Sequence, residues 1–358
     1  MPRGGAHLSS KELAEVLSHY DVGIIHQVQP LSAGNKRAPK MVIISERGKF
    51  LLKRRPKGKD DLYRVAFSHA VQTHLSKKGF PVTILVATCD ENNTILQLNN
   101  HIYEFFRFVT GVRYDGSVEA TMDAGRQLAN FHRYLRDFAC QWEPLRGSFH
   151  DSTTVRRYLK TIGTNNSGLD SGDLVSHLVQ EKTSSSKRKL RKTVEALMDL
   201  YNNSTVKVNE LGFDGWAEQV VHGDWHPGNM LFSNRKLSAV LDFDSVKIAP
   251  AVTDLANGML QFSIVGDRPN PADWPAYLDQ AKLVQFLSGY REGNELDENE
   301  FDSLLDLMIE TIIAEAVLPV ATTGFFGNLS GYDFLNMIRR KADWINDNRD
   351  TLTEAMQD

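Results

Sequence analysis

Between residues 220 and 244 the chain reads Val220-Val221-His222-Gly223-Asp224-Trp225-His226-Pro227-Gly228-Asn229 and then, past a short polar turn, Leu241-Asp242-Phe243-Asp244. Few folds can satisfy this pattern. Val220-Val221 reads as a strand, and His222 to Gly228 as a loop broken by Gly223, Pro227 and Gly228. Met230-Leu231-Phe232 is a second strand, Asn234-Arg235-Lys236 a turn, and Leu237 to Phe243 a third strand. Two strands joined by a tight turn can carry Asn229 and Asp242 to one point, as a shared metal requires. Phosphoryl transfer from a nucleotide uses these parts. One carboxylate orients an attacking hydroxyl, while an amide oxygen and another carboxylate hold magnesium on the phosphates. Asp224 is the candidate for the first role, and Asn229 and Asp242 for the second. Asp244 is read either as a second metal contact or as a turn cap. His222 and His226 are expected to shape the loop. A zinc site is disfavoured, because without a helix their spacing does not place them on one face and no metalloprotease Glu follows.

Composition narrows the class. A chain of 358 residues suits two lobes better than one small core. A net charge of −4 argues against a general nucleic-acid binder. No apolar run is long enough to span a membrane, and residues 1–10 lack an apolar signal core. Only Cys89 and Cys140 are present, so no disulfide framework is expected and a reducing cytoplasm is the default.

The pattern of elements changes near Gly111. Ser9-Ser10-Lys11-Glu12 fits a capping box before Leu13, Val16, Leu17 and Tyr20 at helical spacing. Strands are expected at 22–30, 41–45, 49–54, 82–88, 94–98 and 102–106, with a helix over 60–78 that stops at Gly79. Beyond Gly111, a helix is expected over 118–138 and another near 189–201, after a polar stretch that begins at Asn165. Further helices are expected at 253–264, 273–291, 297–317 and 331–356. Asp254 is read as a helix N-cap. A small sheet-rich part is thus followed by a larger helical one.

The motif His-Gly-Asp-x-His-x-x-Asn followed by Asp-Phe-Asp resembles the family of aminoglycoside phosphotransferases and choline kinases, small-molecule relatives of the protein kinases. Gly223 in place of Arg and Asp244 in place of Gly point to the small-molecule branch. The layout of the rest of the chain is most similar to homoserine-kinase-like and spore-coat-type members. The resemblance implies an α+β, two-lobed, protein-kinase-like fold with a small antiparallel-sheet N-lobe and a larger, mostly helical C-lobe. It implies a nucleotide-binding lobe over 1–110, a hinge near 103–111, and a catalytic and substrate-binding lobe over 111–358.

The resemblance also assigns expected roles. Lys53, in Phe50-Leu51-Leu52-Lys53-Arg54-Arg55, stands where the family places the lysine that binds the α- and β-phosphates. Ser32, Gly34 and Asn35 occupy the position of a phosphate-covering loop, and Arg107 and Val109 are the hinge residues expected beside adenine. The cofactors implied are ATP and Mg2+, with Asp224 as base. The acceptor implied is a hydroxyl of a small metabolite: an amino alcohol, a homoserine-like compound, a sugar or an aminoglycoside. An atypical protein Ser/Thr kinase and a nucleotide-binding pseudokinase or scaffold are the alternatives. One departure stands out. The family pairs its lysine with a Glu on the following helix, and residues 60–72 contain none, so His69 or Gln72 is the expected stand-in.

Overall fold

The computed structural model describes residues 8–31, 38–164, 184–266 and 268–357. Contacts divide the chain into two compact units: Met1–Asp115 with Asn130–Leu145 and Gly228–Lys247, and Gly116–Ala129 with Arg146–Pro227 and Ile248–Asp358. The fold is α+β, with strands concentrated in the first unit and helices in the second.

The first unit is built on five antiparallel strands: β1 (Ile25–Pro30), β2 (Lys40–Ser45), β3 (Gly48–Arg54), β4 (Ile95–Leu98) and β5 (His101–Arg107), in the order β1-β2-β3-β5-β4. Helix α1 (Ser10–Leu17) begins with the expected capping box, in which Ser9 and Glu12 bond reciprocally. Its buried Val16 and Leu17 join Phe50, Leu52, Tyr103 and Phe105 in one core. Strand side chains alternate between faces. Leu52, Tyr103 and Phe105 therefore face this core, while Lys53 and Glu104 project to the other side. There Ile102 packs with Val65 and Ala66 of α2 (Leu62–Lys77), which is capped by Asp61.

Residues 228–247 join this unit for a structural reason. Strands β6 (Glu218–Val221), β7 (Met230–Ser233) and β8 (Lys236–Val240) follow one another, and β7 pairs with β8 around Asn234 and Arg235, both at positive φ. The β7–β8 hairpin is stitched to earlier chain. Val112 and Phe232 exchange backbone hydrogen bonds at 2.8 Å, and the Val240 N–H donates to the Pro81 carbonyl at 2.8 Å. Gly111 fits beneath the hairpin because a Cβ there would lie 2.9 Å from Leu231 Cβ and 3.2 Å from the Phe232 carbonyl oxygen.

The second unit is helical: α3 (Val118–Tyr134, which runs on into the first unit), α4 (Thr153–Thr164), α5 (Ser184–Glu210), α6 (Ala251–Ser263), α7 (Gln280–Arg291), α8 (Glu298–Thr323), α9 (Gly331–Asp347) and α10 (Arg349–Gln357). Strand β9 (Lys247–Pro250) pairs with β6 and leads directly into α6. Helix α8 is buried on almost every face, as its continuous apolar content requires. It starts at an Asp297–Glu300 capping box and ends at Gly324, φ 77°. No helix among the described residues is long and apolar enough to cross a membrane.

Several element boundaries differ from those read in the sequence. Residues 82–88 form only isolated bridges, Val82 to Val240 and Leu85 to Phe106, because Pro81 and neighbouring turns leave no continuous ladder. The strand expected to run to Phe243 stops at Val240, where Asp242 turns left-handed at φ 54°. The helix expected at 331–356 breaks at Asn348. The polar stretch from Asn165 lies outside the described residues as far as 183.

Helices α3 and α7 cross through two glycines. A Cβ on Gly125 would sit 2.0 Å from the Phe286 carbonyl oxygen, and one on Gly289 would sit 2.0 Å from that of Met122. The backbones themselves are in contact, so neither side can yield by a rotamer change. Gly125→Ala and Gly289→Ala are each expected to lower unfolding free energy by about 1–3 kcal/mol, the usual cost of overpacking. Urea denaturation checks this, and unchanged midpoints would refute the close crossing.

Candidate active site

The antiparallel pairing of β3 with β5 sets Lys53 directly opposite Glu104. Lys53 Nζ lies 3.4 Å from Glu104 Oε2 and 3.6 Å from Asp244 Oδ1. Arg55 Nη2 donates to Glu104 Oε1 at 2.9 Å and to Asp244 Oδ1 at 2.8 Å. The two carboxylates and these cations are thus interleaved. Burial alone would push the Lys53 ammonium down, but the charges of Glu104 and Asp244 outweigh it and hold it above the ordinary lysine value. Burial likewise opposes ionisation of Glu104, yet Lys53, the His69 hydrogen bond and Arg55 keep its carboxyl far below the usual range.

Lys53 also lines a cavity of about 250 Å³ with Lys40, Asn229 and Asp242, and with the apolar side chains of Leu31, Leu51, Phe106 and Leu241. Lys40 is the cross-strand partner of Lys53. Burial, and then the charge of Lys53, lower its pKa. Asn229 and Asp242 are brought side by side by the backbone, because the Leu241 N–H donates to the Asn229 carbonyl at 2.8 Å. The site therefore offers two ammonium groups, one amide and one carboxylate around an apolar floor. That donor set fits a nucleotide phosphate with a hard cation. No group of three or more His, Cys, Asp or Glu suited to a metal occurs among the described residues. A cation here would take its remaining oxygens from phosphate and water, which is the habit of magnesium rather than of zinc.

The second unit carries the loop from His222 to Pro227. Asp254, in the first turn of α6, accepts the backbone N–H of His222 at 2.5 Å and that of Gly223 at 2.8 Å. It is not the N-cap expected from the sequence, since that position belongs to Pro250. Instead it clamps the loop. His222 is fully buried and packs edge-on against Trp225, also fully buried, at 5.4 Å between ring centroids. Gly258 leaves room chiefly for Phe286 and also for this tryptophan, because a Cβ there would lie 2.4 Å from Phe286 Cζ and 3.2 Å from Trp225 Cδ1. With its neighbours pinned, Asp224 stays partly exposed, and His226 Nε2 lies 3.6 Å from its Oδ1. Glu315 of α8 accepts hydrogen bonds from Asn257 Nδ2 at 2.8 Å and from Gln261 Nε2. Burial, reinforced by the charge of Asp224, pushes Glu315 up to about 7.

The remaining candidates fall elsewhere. Asp244 does not line the cavity. It is engaged by Arg55, Lys53 and, at 3.6 Å, Lys59. The Arg107 side chain turns to the α1 face, with its guanidinium over the Phe50 ring and Nη1 donating to the Arg47 carbonyl at 3.0 Å. The Arg107 N–H is engaged by the Ile84 carbonyl at 2.8 Å. Val109 follows the end of β5 and does not line the cavity. Residues 103–107 are the end of strand β5. Ser32, Gly34 and Asn35 lie outside the described residues. Gln72 bonds to Ser68 within its own helix and leaves Lys53 untouched. The sequence reading missed Lys40, Glu104, Arg55 and Glu315. Only the strand alternation around Lys53 could have pointed to the first two.

A strand-borne lysine held by carboxylates, with an amide and an acid on the hairpin after a His-Gly-Asp loop, is the layout of a protein-kinase-like phosphotransferase. The chain belongs to the phosphotransferase enzyme family, whose model matches residues 27–296. The match is to the family as a whole rather than to its homoserine-kinase-like or spore-coat-type members. Solved structures share the fold. The aminoglycoside phosphotransferase from Alicyclobacillus acidocaldarius aligns over 99% of this chain and 98% of its own, with a TM-score of 0.67 and 16% identity. Amicoumacin kinase hAmiN, solved with AMP-PNP, Ca2+ and Ami, aligns over 95% and 94%, with a TM-score of 0.65 and 14% identity. Choline kinase from Cryptosporidium parvum aligns over 97% of each chain, with a TM-score of 0.56 and 12% identity. No sequence among the curated proteins matches.

Two expectations arise from the loop. Asp254→Ala leaves one buried and one part-buried backbone N–H group without their acceptor, so it is expected to cost about 2–4 kcal/mol of stability. Urea denaturation of the purified variant checks this, and a loss below 0.5 kcal/mol (roughly the scatter of surface substitutions) would remove the clamp. The second expectation concerns Glu315, whose value near 7 in the folded state exceeds its ordinary value of 4.5. Between these values the folded state binds the extra proton. The stabilisation is thus complete below 4.5 and lost as pH rises through 7. Glu315→Gln is expected to flatten the fall in melting temperature over that window. A variant that keeps the native slope would show that Glu315 is not the titrating group.

Proposed function

We propose that this phosphotransferase moves the γ-phosphate of ATP, with magnesium, to a hydroxyl of a small metabolite. The observation that carries the reading is the convergence of Lys53, Lys40, Asn229 and Asp242 on one cavity with an apolar floor. Lys53 binds the α- and β-phosphates, and Lys40, opposite it, adds a second ammonium to the same charge. Asn229 and Asp242 hold magnesium, which when bound neutralises phosphate charge. Leu31, Leu51 and Phe106 accept the base. Asp244, already neutralised by Arg55 and Lys53, serves the lysine rather than the metal.

Asp224 is the group that accepts the hydrogen bond of the acceptor hydroxyl and orients it for in-line attack. His226, at 3.6 Å, restrains that carboxylate. His222 and Asp254 fix the loop from beneath. Phosphoryl transfer of this kind depends more on positioning than on basicity, which suits a carboxylate held by a braced backbone. Glu315, Asn257 and Gln261 supply a polar wall in the unit that carries Asp224. An amino alcohol, a homoserine-like compound, a sugar or an aminoglycoside offers the hydroxyl such a wall can orient. The named acceptors of two structural neighbours, amicoumacin and choline, are small molecules too. A protein acceptor is disfavoured, because only the short strand β9 separates Asp244 from helix α6. Cys89 and Cys140 are both free and exposed, which suits a reducing compartment.

The test is ADP release from ATP and magnesium across a panel of homoserine, choline, ethanolamine, sugars and aminoglycosides. One class is expected to stimulate release, with Asp224→Asn lowering that turnover by about 10²–10⁴-fold and chelation of magnesium abolishing it. Measurable ATP binding with no stimulation by any acceptor would favour a scaffold or a protein substrate instead.

A further inference from the structure

We propose that Glu104, on strand β5, is the carboxylate that positions Lys53 for the nucleotide phosphates, and that helix α2 supplies no anionic partner to this lysine. The inference rests on the reading of Lys53 as the phosphate-binding lysine. Helix α2 reads LYRVAFSHAVQTHLSK and contains no acidic residue. Its one side chain at the site is His69, and both ring nitrogens are engaged: Nδ1 with Thr94 Oγ1 at 2.8 Å and Nε2 with Glu104 Oε1 at 2.9 Å. Through His69 the helix thus bonds to Glu104 and not to the lysine.

Glu104 is 1% exposed, and its two oxygens have different surroundings. Oε1 takes the hydrogen bonds of Arg55 and His69. Among the described residues Oε2 accepts no hydrogen bond, and Lys53 Nζ stands 3.4 Å from it. A buried carboxylate oxygen without a donor is costly unless a cation compensates it. Arg55 is already directed to Oε1, so Lys53 is the cation that does so at Oε2. Asp244 is a poorer anchor, because it sits 3.6 Å from Lys53 while bonding to Arg55 and facing Lys59.

The source of the carboxylate has a mechanical consequence. Residues directly opposite on an antiparallel pair have fixed side-chain spacing, set by the ladder itself. Lys53 and Glu104 are such a pair, and both strands are interior to the sheet. A carboxylate on a helix can be withdrawn by moving the helix. A carboxylate on the neighbouring strand cannot be withdrawn without breaking the sheet. Glu104 is thus a positioning residue, always in place, and a displacement of α2 would remove only the His69 brace.

Calorimetric titration with Mg·ATP and, separately, with adenosine tests this on the full chain. Adenosine lacks the phosphates, so loss of lysine positioning should spare it, whereas a general collapse of the sheet would not. Glu104→Gln is expected to weaken Mg·ATP by about tenfold or more, the scale of a lost charge-assisted contact, and to leave adenosine within about twofold. In a Lys53→Ala background the same change should add little, because Glu104 acts through the lysine. Equal weakening of both ligands, no weakening of Mg·ATP, or full additivity in the double variant would overturn the inference while leaving Lys53 in its role. Unchanged Mg·ATP affinity in Lys53→Ala would instead overturn the reading of Lys53 and this inference with it. Should Glu104→Gln fail to fold, Glu104→Asp keeps the charge beside Arg55, draws the carboxylate back by one methylene, and is judged by the same selectivity for Mg·ATP over adenosine.

Discussion

A buried carboxylate, Glu104, and a largely enclosed one, Asp244, set among the cations Lys53 and Arg55, organise the first unit. Taking such groups out of water costs several kcal/mol each, and their mutual attraction returns that only when the geometry is good. A sheet seeking stability alone would do as well with apolar side chains in these places. The face of β5 that carries Glu104 shows the contrast. Its neighbours Ile102 and Phe106 are apolar, and so is the opposite face at Tyr103 and Phe105. A single acid in the middle of that strand makes sense only because β3 delivers Lys53 opposite it and Arg55 just beyond the strand end. The network holds an ammonium at the edge of a cavity that Asp242, Asn229 and Lys40 also line.

Much of this was legible in the sequence, for reasons that differ from element to element. The Ser9–Glu12 box and the Asn234-Arg235 turn are local chemistry, so the residues declare them. The His-Gly-Asp loop and the Asn229/Asp242 spacing were readable because a tight hairpin converts sequence distance into spatial distance, and the Leu241–Asn229 hydrogen bond is the outcome. What was not readable depends on pairing between distant strands. Glu104 lies far from Lys53 in the chain, and only the β3–β5 register brings them together, so attention to the following helix alone could not find the lysine's partner. Asp254 misled in a related way. An Asp near a helix start has a local role available, but the two N–H groups it accepts come from a loop thirty residues earlier. Residues 82–88 have strand-like composition, yet β4 already pairs with His101–Glu104 of β5, and the segment meets β5 only beyond that stretch, through Leu85 and its neighbours.

The motif region crosses from one compact unit to the other between Pro227 and Gly228, and each side is secured within its own unit. On one side, Asp254 holds the His222 and Gly223 amides, and the buried Trp225 packs against His222. On the other, the hairpin that bears Asn229 is stitched to residues 81 and 112 by backbone hydrogen bonds. The few residues between these anchors include Asp224 and His226, the side chains left most accessible. This division matches the demands of the chemistry. Holding a nucleotide, the role proposed for this part, requires a rigid cradle of charge, which the sheet and hairpin offer. Orienting a small hydroxyl requires a carboxylate that is firmly based yet exposed at its tip. A braced backbone beneath a half-exposed side chain suits the role proposed for Asp224, whose carboxylate has His226 at 3.6 Å.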